Sequence, residues 1–245
     1  MRIGKYYRNR EEKSISGGTG CGVVYLSGCL LHCAYCLVGE ISQEGKGLDY
    51  SVEEAAGLLL RLQGQGVSHI SVANAEPQAE ELIAAIEEAR RGGLSVPLVN
   101  NFGGYADEDV MRRLMPHFEG YVMDWKYADA AAGLRLSGIA DYPERAAKCL
   151  QMLIAHYGKN RYDENGLLQS GVLLRHLILP GLPQNTEGVI RLLAQQNTAG
   201  YPLELMADFV PEWHTAEVLT PPYRIPREVK QKSIALAHQL GLQAT

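Results

Sequence analysis

The chain has 245 residues and a formal net charge of −5, from 28 acidic and 23 basic residues; that length allows one large α/β domain with a substantial core, and the acidic balance argues against a nucleic-acid-binding surface. No apolar run is long enough to span a bilayer, and no signal-peptide hydrophobic region opens the chain. Five cysteines, three of them clustered, fit a reducing interior rather than a disulfide framework, so a cytoplasmic protein is expected, with neither a membrane nor a nucleic acid as partner.

Arg2, Lys5, Arg8, Arg10 and Lys13 are the densest basic group. They read as a solvated arm over about residues 1–20, within a single core domain of 1–245. Gly17-Gly18-Thr19-Gly20-Cys21-Gly22 is glycine-rich but precedes a strand, whereas a nucleotide loop should open a helix. The apolar run 23–27 is a buried first strand, and the cysteine run Gly28-Cys29-Leu30-Leu31-His32-Cys33-Ala34-Tyr35-Cys36 leaves its end. Apolar residues at helical spacing fill 52–62, with Ser51 as N-cap and Glu54 three residues on, a capping box. A short second strand over 69–72 precedes a helix over 78–91, stopped by Gly92-Gly93. A third strand covers 97–100. Asp107 caps a helix running to about 118, and a fourth strand covers 121–124. The long segment 129–142 leads to a helix over 143–157, with Pro143 in its first turn. A hairpin over 157–169 turns at Asn165-Gly166. The fifth strand, 172–179, ends at Pro180-Gly181. A helix over 186–196, a sixth strand over 203–207 and a last helix over 226–240 complete the chain.

Six short apolar strands alternating with helices predict a parallel sheet covered by helices. A doubly wound open sheet and a barrel-like sheet satisfy this pattern equally. In a barrel, functional residues belong just after the strands.

The cysteine loop carries the most chemistry. Its spacing is C-x3-C-x2-C. Four sulfurs would close a structural zinc site or fully ligate a cubane cluster; three from one loop hold three irons and leave the fourth open. A zinc site using His32 or a fourth cysteine, or a ferredoxin-like cluster, are the competing readings. Cys21 and Cys149 continue no ligand spacing and read as core cysteines. C-x3-C-x-aromatic-C after a first strand, with Tyr35 in the aromatic position, resembles the radical S-adenosylmethionine (SAM) superfamily. That resemblance implies a partial (β/α)6 barrel. It also implies a [4Fe-4S] cluster on Cys29, Cys33 and Cys36, whose open iron is chelated by SAM.

The residues after the other strands extend the likeness. Asn74-Ala75-Glu76-Pro77 stands where the family has Gly-Gly-Glu-Pro, whose backbone and carboxylate hold the SAM ammonium. Asn tolerates a left-handed backbone; Ala does so reluctantly. The competing role for Glu76 is a carboxylate favoured at a helix N-terminus. Asn100-Asn101 could bond a ribose or substrate, or cap a turn; Asn100 is taken as the SAM-site residue. Asp124-Trp125-Lys126-Tyr127 resembles an Asp-Leu-Lys run whose Asp and Lys contact SAM; the alternative is an internal ion pair. In the fifth strand Arg175 and His176 point to opposite faces, so Arg175 is assigned to the interior, to meet a carboxylate, and His176 to the core. Asp208 and His214 are weaker candidates.

Ser27-Gly28-Cys29, Gly39-Glu40-Ile41-Ser42, Lys126-Tyr127-Ala128-Asp129, Asp141-Tyr142-Pro143-Glu144 and the 175–181 strand resemble uncharacterised paralogues of pyruvate formate-lyase activating enzyme over about 15–240. The implied chemistry is reductive cleavage of SAM to a 5′-deoxyadenosyl radical, which abstracts a hydrogen atom. The electron would come from a one-electron donor such as flavodoxin or ferredoxin. Little sequence remains to form a lid, which favours a protein or peptide substrate, as for a glycyl-radical activase. The alternatives are a small-molecule modifier, an epimerase or dehydrogenase, and a non-catalytic Fe–S electron carrier. Cys149 and Cys21 are not expected at the active face, where the 129–142 segment should lie; the hairpin should lie at the opposite end.

Overall fold

The computed structural model describes residues 1–9, 20–164 and 167–245. Arg10, Lys13, the glycine-rich stretch 17–19 and the Asn165-Gly166 turn lie outside the described residues. The stretch 2–9, read as part of an arm, is a strand, β1 (Arg2–Asn9). It pairs antiparallel with β2 (Cys21–Leu26), placing Tyr7 beside Val23 and Asn9 beside Cys21. Most of its side chains are exposed, as the basic composition requires, but its backbone is bound to the sheet.

After β2 come a short helix α1 (Gly39–Ser42), β3 (Leu48–Asp49) and α2 (Val52–Gln63). The capping box is present in full: the Glu54 N–H donates to Ser51 Oγ at 3.2 Å, and the Ser51 N–H to Glu54 Oε2 at 2.8 Å. Ser51→Ala is therefore expected to lower stability by about 1 kcal/mol, read as a smaller urea midpoint at unchanged slope. The next units are β4 (Ile70–Ala73) with α3 (Ala79–Arg91), and β5 (Leu98–Phe102) with α4 (Glu108–Leu114). After β6 (Gly120–Asp124), the 129–142 segment folds into a further helix, α5 (Ala130–Ser137), before α6 (Tyr142–Tyr157). Asp129 caps α5 by accepting the Ala132 N–H, and Gly138, in the left-handed region at φ 72°, ends it. The last elements are β7 (Arg161–Tyr162), β8 (Leu168–Leu177), α7 (Pro183–Ala194), β9 (Pro202–Met206), α8 (Thr215–Val218), α9 (Arg227–Gln239) and β10 (Gln243–Ala244). β7 pairs with the N-terminal end of β8, so the hairpin lies at the opposite end from the site, as expected.

The strand order β10-β9-β8-β6-β5-β4-β2-β1-β3 decides between the two α/β architectures. From β2 to β9 the parallel strands neighbour one another in chain order with no reversal. A doubly wound sheet reverses at a switch point; this sheet does not. It is a partial (β/α)6 barrel, left open between its two edges. The main core lies between sheet and helices, with Leu58, Leu62, Ile86, Met111, Leu150 and Ile190 from successive helices all fully buried or nearly so. A smaller cluster of Val99, Val122, Leu168 and Leu173 fills the other face.

Candidate functional site

Alternation along each strand sends one set of side chains to the concave face. In register across the sheet these are Tyr25, Ala73, Asn101, Val122 and Leu173, and above them Asp124, Arg175 and Glu204. Together with the loops leaving the strand ends they enclose a cavity of about 690 Å3 that opens to solvent. Cys29, Cys33, Tyr35, Cys36, Asn74, Glu76, Asp124, Lys126 and Arg175 all line it. Asn100 does not. It is fully buried on the helix-facing side of β5, where its Nδ2–H donates to Glu76 Oε1 at 2.9 Å. Its neighbour Asn101 is the residue that lines the cavity.

The cysteine loop begins with a forced turn: Gly28 has φ 91°, a conformation that L side chains rarely adopt. All three thiols are free. Cys29 Sγ accepts the Leu31 N–H at 3.4 Å, and Cys36 Sγ lies 3.1 Å from Ser42 Oγ. Cys33 Sγ accepts from Ser137 Oγ at 3.0 Å, and the Tyr127 hydroxyl lies 3.7 Å from it. Burial, reinforced by the neighbouring Cys33, pushes the Cys29 thiol up to about 12. Among the described residues no three His, Cys, Asp or Glu side chains are gathered as for a single metal ion. Ligands to separate irons of one cubane need not be, because each sulfur sits on its own iron. Three thiols on one cavity, with Cys21 and Cys149 buried away from it, form a donor set that fits a cluster with one position left to another ligand.

Asn74 adopts the left-handed conformation at φ 62°, as its residue type allows, and its Nδ2–H donates to the Leu26 carbonyl at 3.1 Å. Ala75 has φ −66° and ψ −32° and so carries no such strain. Glu76 opens a 3-10 turn, Glu76–Gln78. Burial pushes its carboxyl up to about 7, against the opposing hydrogen bond from Asn100.

Asp124, Lys126 and Arg175 form a compact triad. Arg175 Nε donates to Asp124 Oδ1 at 2.8 Å and Lys126 Nζ to Asp124 Oδ2 at 3.1 Å. A second Arg175 nitrogen donates to Asn101 Oδ1 at 3.3 Å. Burial alone would raise the Asp124 carboxyl, but Arg175 and Lys126 outweigh it and hold it well below the usual carboxylate range. Burial likewise opposes the charge on Lys126, and Asp124 more than offsets that. The triad thus sets two cations against one anion, and Glu204, beside Arg175 on the next strand, also lines the cavity.

His176 is the core histidine expected from strand parity. It is fully buried, with Nδ1 2.7 Å from the Trp125 carbonyl oxygen and Nε2 3.0 Å from Thr186 Oγ1. A carbonyl can only accept, so Nδ1 carries the hydrogen and Nε2 accepts from Thr186. Burial lowers its pKa to about 4. The unfolded chain, near 6.5, therefore binds a proton that the folded one does not. This contribution is whole above about pH 6.5 and is lost as pH falls toward 4. We expect His176→Gln to flatten the stability loss between those values by up to about 3 kcal/mol, read from urea midpoints; an equally steep loss in the variant would refute the assignment.

Tyr35 is buried, with its hydroxyl 2.9 Å from that of Tyr127 and its ring 6.1 Å from Phe209. Phe209 belongs to the segment after β9, which crosses over the cysteine loop. There the Trp213 indole packs where a Cβ on Gly39 would stand. The mouth thus has more cover than its sequence led us to expect. Asp208 lines the cavity, whereas His214 pairs with Glu217 at 2.7 Å on the surface. Sequence reading named Asn101 only beside Asn100 and chose the latter; it missed Glu204 and the β1 residues Tyr7 and Asn9, which line the cavity with Asn101.

No family model matches the chain. No curated protein matches it either. Solved structures do. SuiB of Streptococcus suis, bound to its precursor peptide SuiA, aligns with 91% of this chain and 47% of its own, at 12% identity and TM-score 0.61. The FeFe-hydrogenase maturase HydG from Carboxydothermus hydrogenoformans aligns with 90% of this chain and 51% of its own, at 16% identity and TM-score 0.59. The enzyme anSMEcpe with bound AdoMet covers 87% of this chain and 58% of its own, at 13% identity and TM-score 0.55. The chain spans about half the length of these structures. All three are radical SAM enzymes, and the chain has their fold. Among the described residues no helix is long and apolar enough to cross a membrane.

Proposed function

We propose that this radical SAM fold carries a radical SAM enzyme, with Cys29, Cys33 and Cys36 holding a [4Fe-4S] cluster and SAM (AdoMet) bound in the same cavity. The observation that carries the reading is the convergence of three cysteines, Glu76 and a net-cationic Asp124–Lys126–Arg175 triad on one cavity at the strand ends. When bound, the cluster supplies a low-potential electron, down to about −700 mV for such centres, to break the SAM carbon–sulfur bond and give a 5′-deoxyadenosyl radical.

The chain's own residues would bind and orient. Glu76 and the Asn74 backbone would receive the SAM ammonium, an ionic contact that would favour ionised Glu76. Lys126 and Arg175 would take the methionyl carboxylate, while Asp124 holds both cations in place. Asn101, tied to Arg175, would reach the ribose. Asn100 would act through Glu76, by fixing its carboxylate. Tyr35 and Phe209 would shield the reacting atoms from water.

A peptide or protein is the favoured substrate. The cavity has the volume of an ordinary small-ligand site but is open to solvent, and the structurally similar SuiB is seen with a precursor peptide. A glycyl-radical-activase-like oxidoreductase in the cytoplasm, served by flavodoxin or ferredoxin, accommodates these features. The deciding experiment is anaerobic reconstitution with iron and sulfide, followed by SAM and dithionite. Production of 5′-deoxyadenosine is expected; a protein that takes up iron yet never cleaves SAM would be an electron carrier instead.

A further inference from the structure

We propose that Ser137, at the end of α5, is a positioning residue that sets the electron affinity of the cluster through a hydrogen bond to its ligand Cys33. The proposal rests on the cluster reading above. The last turn of α5 lies against the cysteine loop at three points. The Ala34 N–H donates to the Leu136 carbonyl at 2.9 Å, the His32 N–H to the Ser137 carbonyl at 3.4 Å, and the Ser137 hydroxyl to Cys33 Sγ at 3.0 Å. Ser137 and Tyr127 are completely buried; with the one Ser137 proton given to Cys33, the Tyr127 hydroxyl donates to Ser137 Oγ, its oxygen lying 3.7 Å from the same sulfur.

The position of Ser137 is tightly defined. Gly138 follows in the left-handed conformation, its N–H donating to the Leu134 carbonyl at 3.0 Å, and the Ile139 N–H returns to the Gly133 carbonyl at 3.2 Å. These are the bonds of a closed helix end. A Cβ on Gly133 would collide with the Ile139 carbonyl oxygen, so glycine at 133 is needed for this ending. A helical serine more often bonds a carbonyl of its own preceding turn; this one is aimed at sulfur.

A thiolate ligand carries more negative charge when its cluster is reduced. A hydroxyl donating to it therefore stabilises the reduced form more than the oxidised one, and raises the potential. Exclusion of water strengthens the effect. Ser137 touches neither SAM nor substrate in this account; it acts through Cys33.

The test is an anaerobic redox titration of the reconstituted protein, followed by electron paramagnetic resonance of the reduced cluster, with iron content measured alongside. Ser137→Ala should bind the same iron but be harder to reduce. At the potential that half-reduces the unsubstituted protein, the ratio of reduced to oxidised cluster should fall about tenfold, a midpoint lower by about 59 mV. Tyr127→Phe, which removes the more distant hydroxyl, should shift the midpoint in the same direction by less. A midpoint unchanged in Ser137→Ala overturns the proposal, as does a shift to higher potential. Should Ser137→Ala not fold, Ser137→Cys, similar in size but a much weaker donor, replaces it, and an unchanged midpoint there overturns the proposal. If the unsubstituted protein assembles no cluster, the reading of the site falls first, and this proposal with it.

Discussion

Replacing Cys29, Cys33 or Cys36 with Ala is expected to abolish the cluster chromophore and SAM cleavage together, whereas Cys21→Ala and Cys149→Ala keep both. The asymmetry follows from placement. The three loop cysteines line one cavity, while Cys21 and Cys149 are wholly buried elsewhere, Cys149 donating to the Ala106 carbonyl from inside a helix. Two remaining sulfurs cannot hold three irons, so the loss in the loop variants should be complete rather than graded. The core variants lose a small side chain, at a cost of about 1 kcal/mol in stability. Iron and acid-labile sulfide content, with the visible spectrum, decide the matter. Loss of the cluster in Cys21→Ala would overturn the three-ligand assignment.

The second large effect is expected at Asp124. Asp124→Asn removes the anion that bridges Lys126 and Arg175 and leaves two partly buried cations facing each other. Breaking such a pair from one side costs about 3 kcal/mol, and a urea midpoint should show it. The same variant should bind SAM poorly, because the two cations lose their fixed geometry. Lys126→Ala and Arg175→Ala should each weaken SAM binding by about 2 kcal/mol, roughly thirtyfold, by removing a charge-assisted bond. Equilibrium dialysis with labelled SAM measures this. Unchanged affinity in all three variants would make the triad an internal support for the sheet and nothing more.

Much of the parallel sheet was legible because its strands and helices alternate with clear stops. Arg175 and His176 illustrate why parity could be read there: the two neighbours differ in chemistry, and one of them had to be satisfied in the core. Asn100 and Asn101 show the converse. Two identical polar residues lie near the end of a buried strand, so alternation gave no choice between them, and only the register with Ala73 and Val122 shows that Asn101 points inward. β1 was unreadable for another reason. Arg2, Lys5, Tyr6, Tyr7 and Arg8 are all exposed, so no burial pattern marks them, and only pairing with β2 and, at Arg2, with β3 makes them a strand. α5 was readable but missed: Asp129 and Gly138 are its cap and its stop. The crossing of the 208–213 segment over the cysteine loop has no local signal at all, since Phe209 and Trp213 meet Tyr35 and Gly39 across most of the chain.

The unreversed order of the parallel strands gives the site a history as well as a shape. Each new strand pairs beside one made shortly before, so every step closes only a short loop, and the sheet can grow in the order of synthesis. The cysteine loop emerges with the first parallel strand, yet the groups that hold it arrive much later. Leu136 and Ser137 meet it once more than half the chain exists, and Trp213 only near the end. The three thiols are thus made early and enclosed late, after the strands that frame them have been laid down.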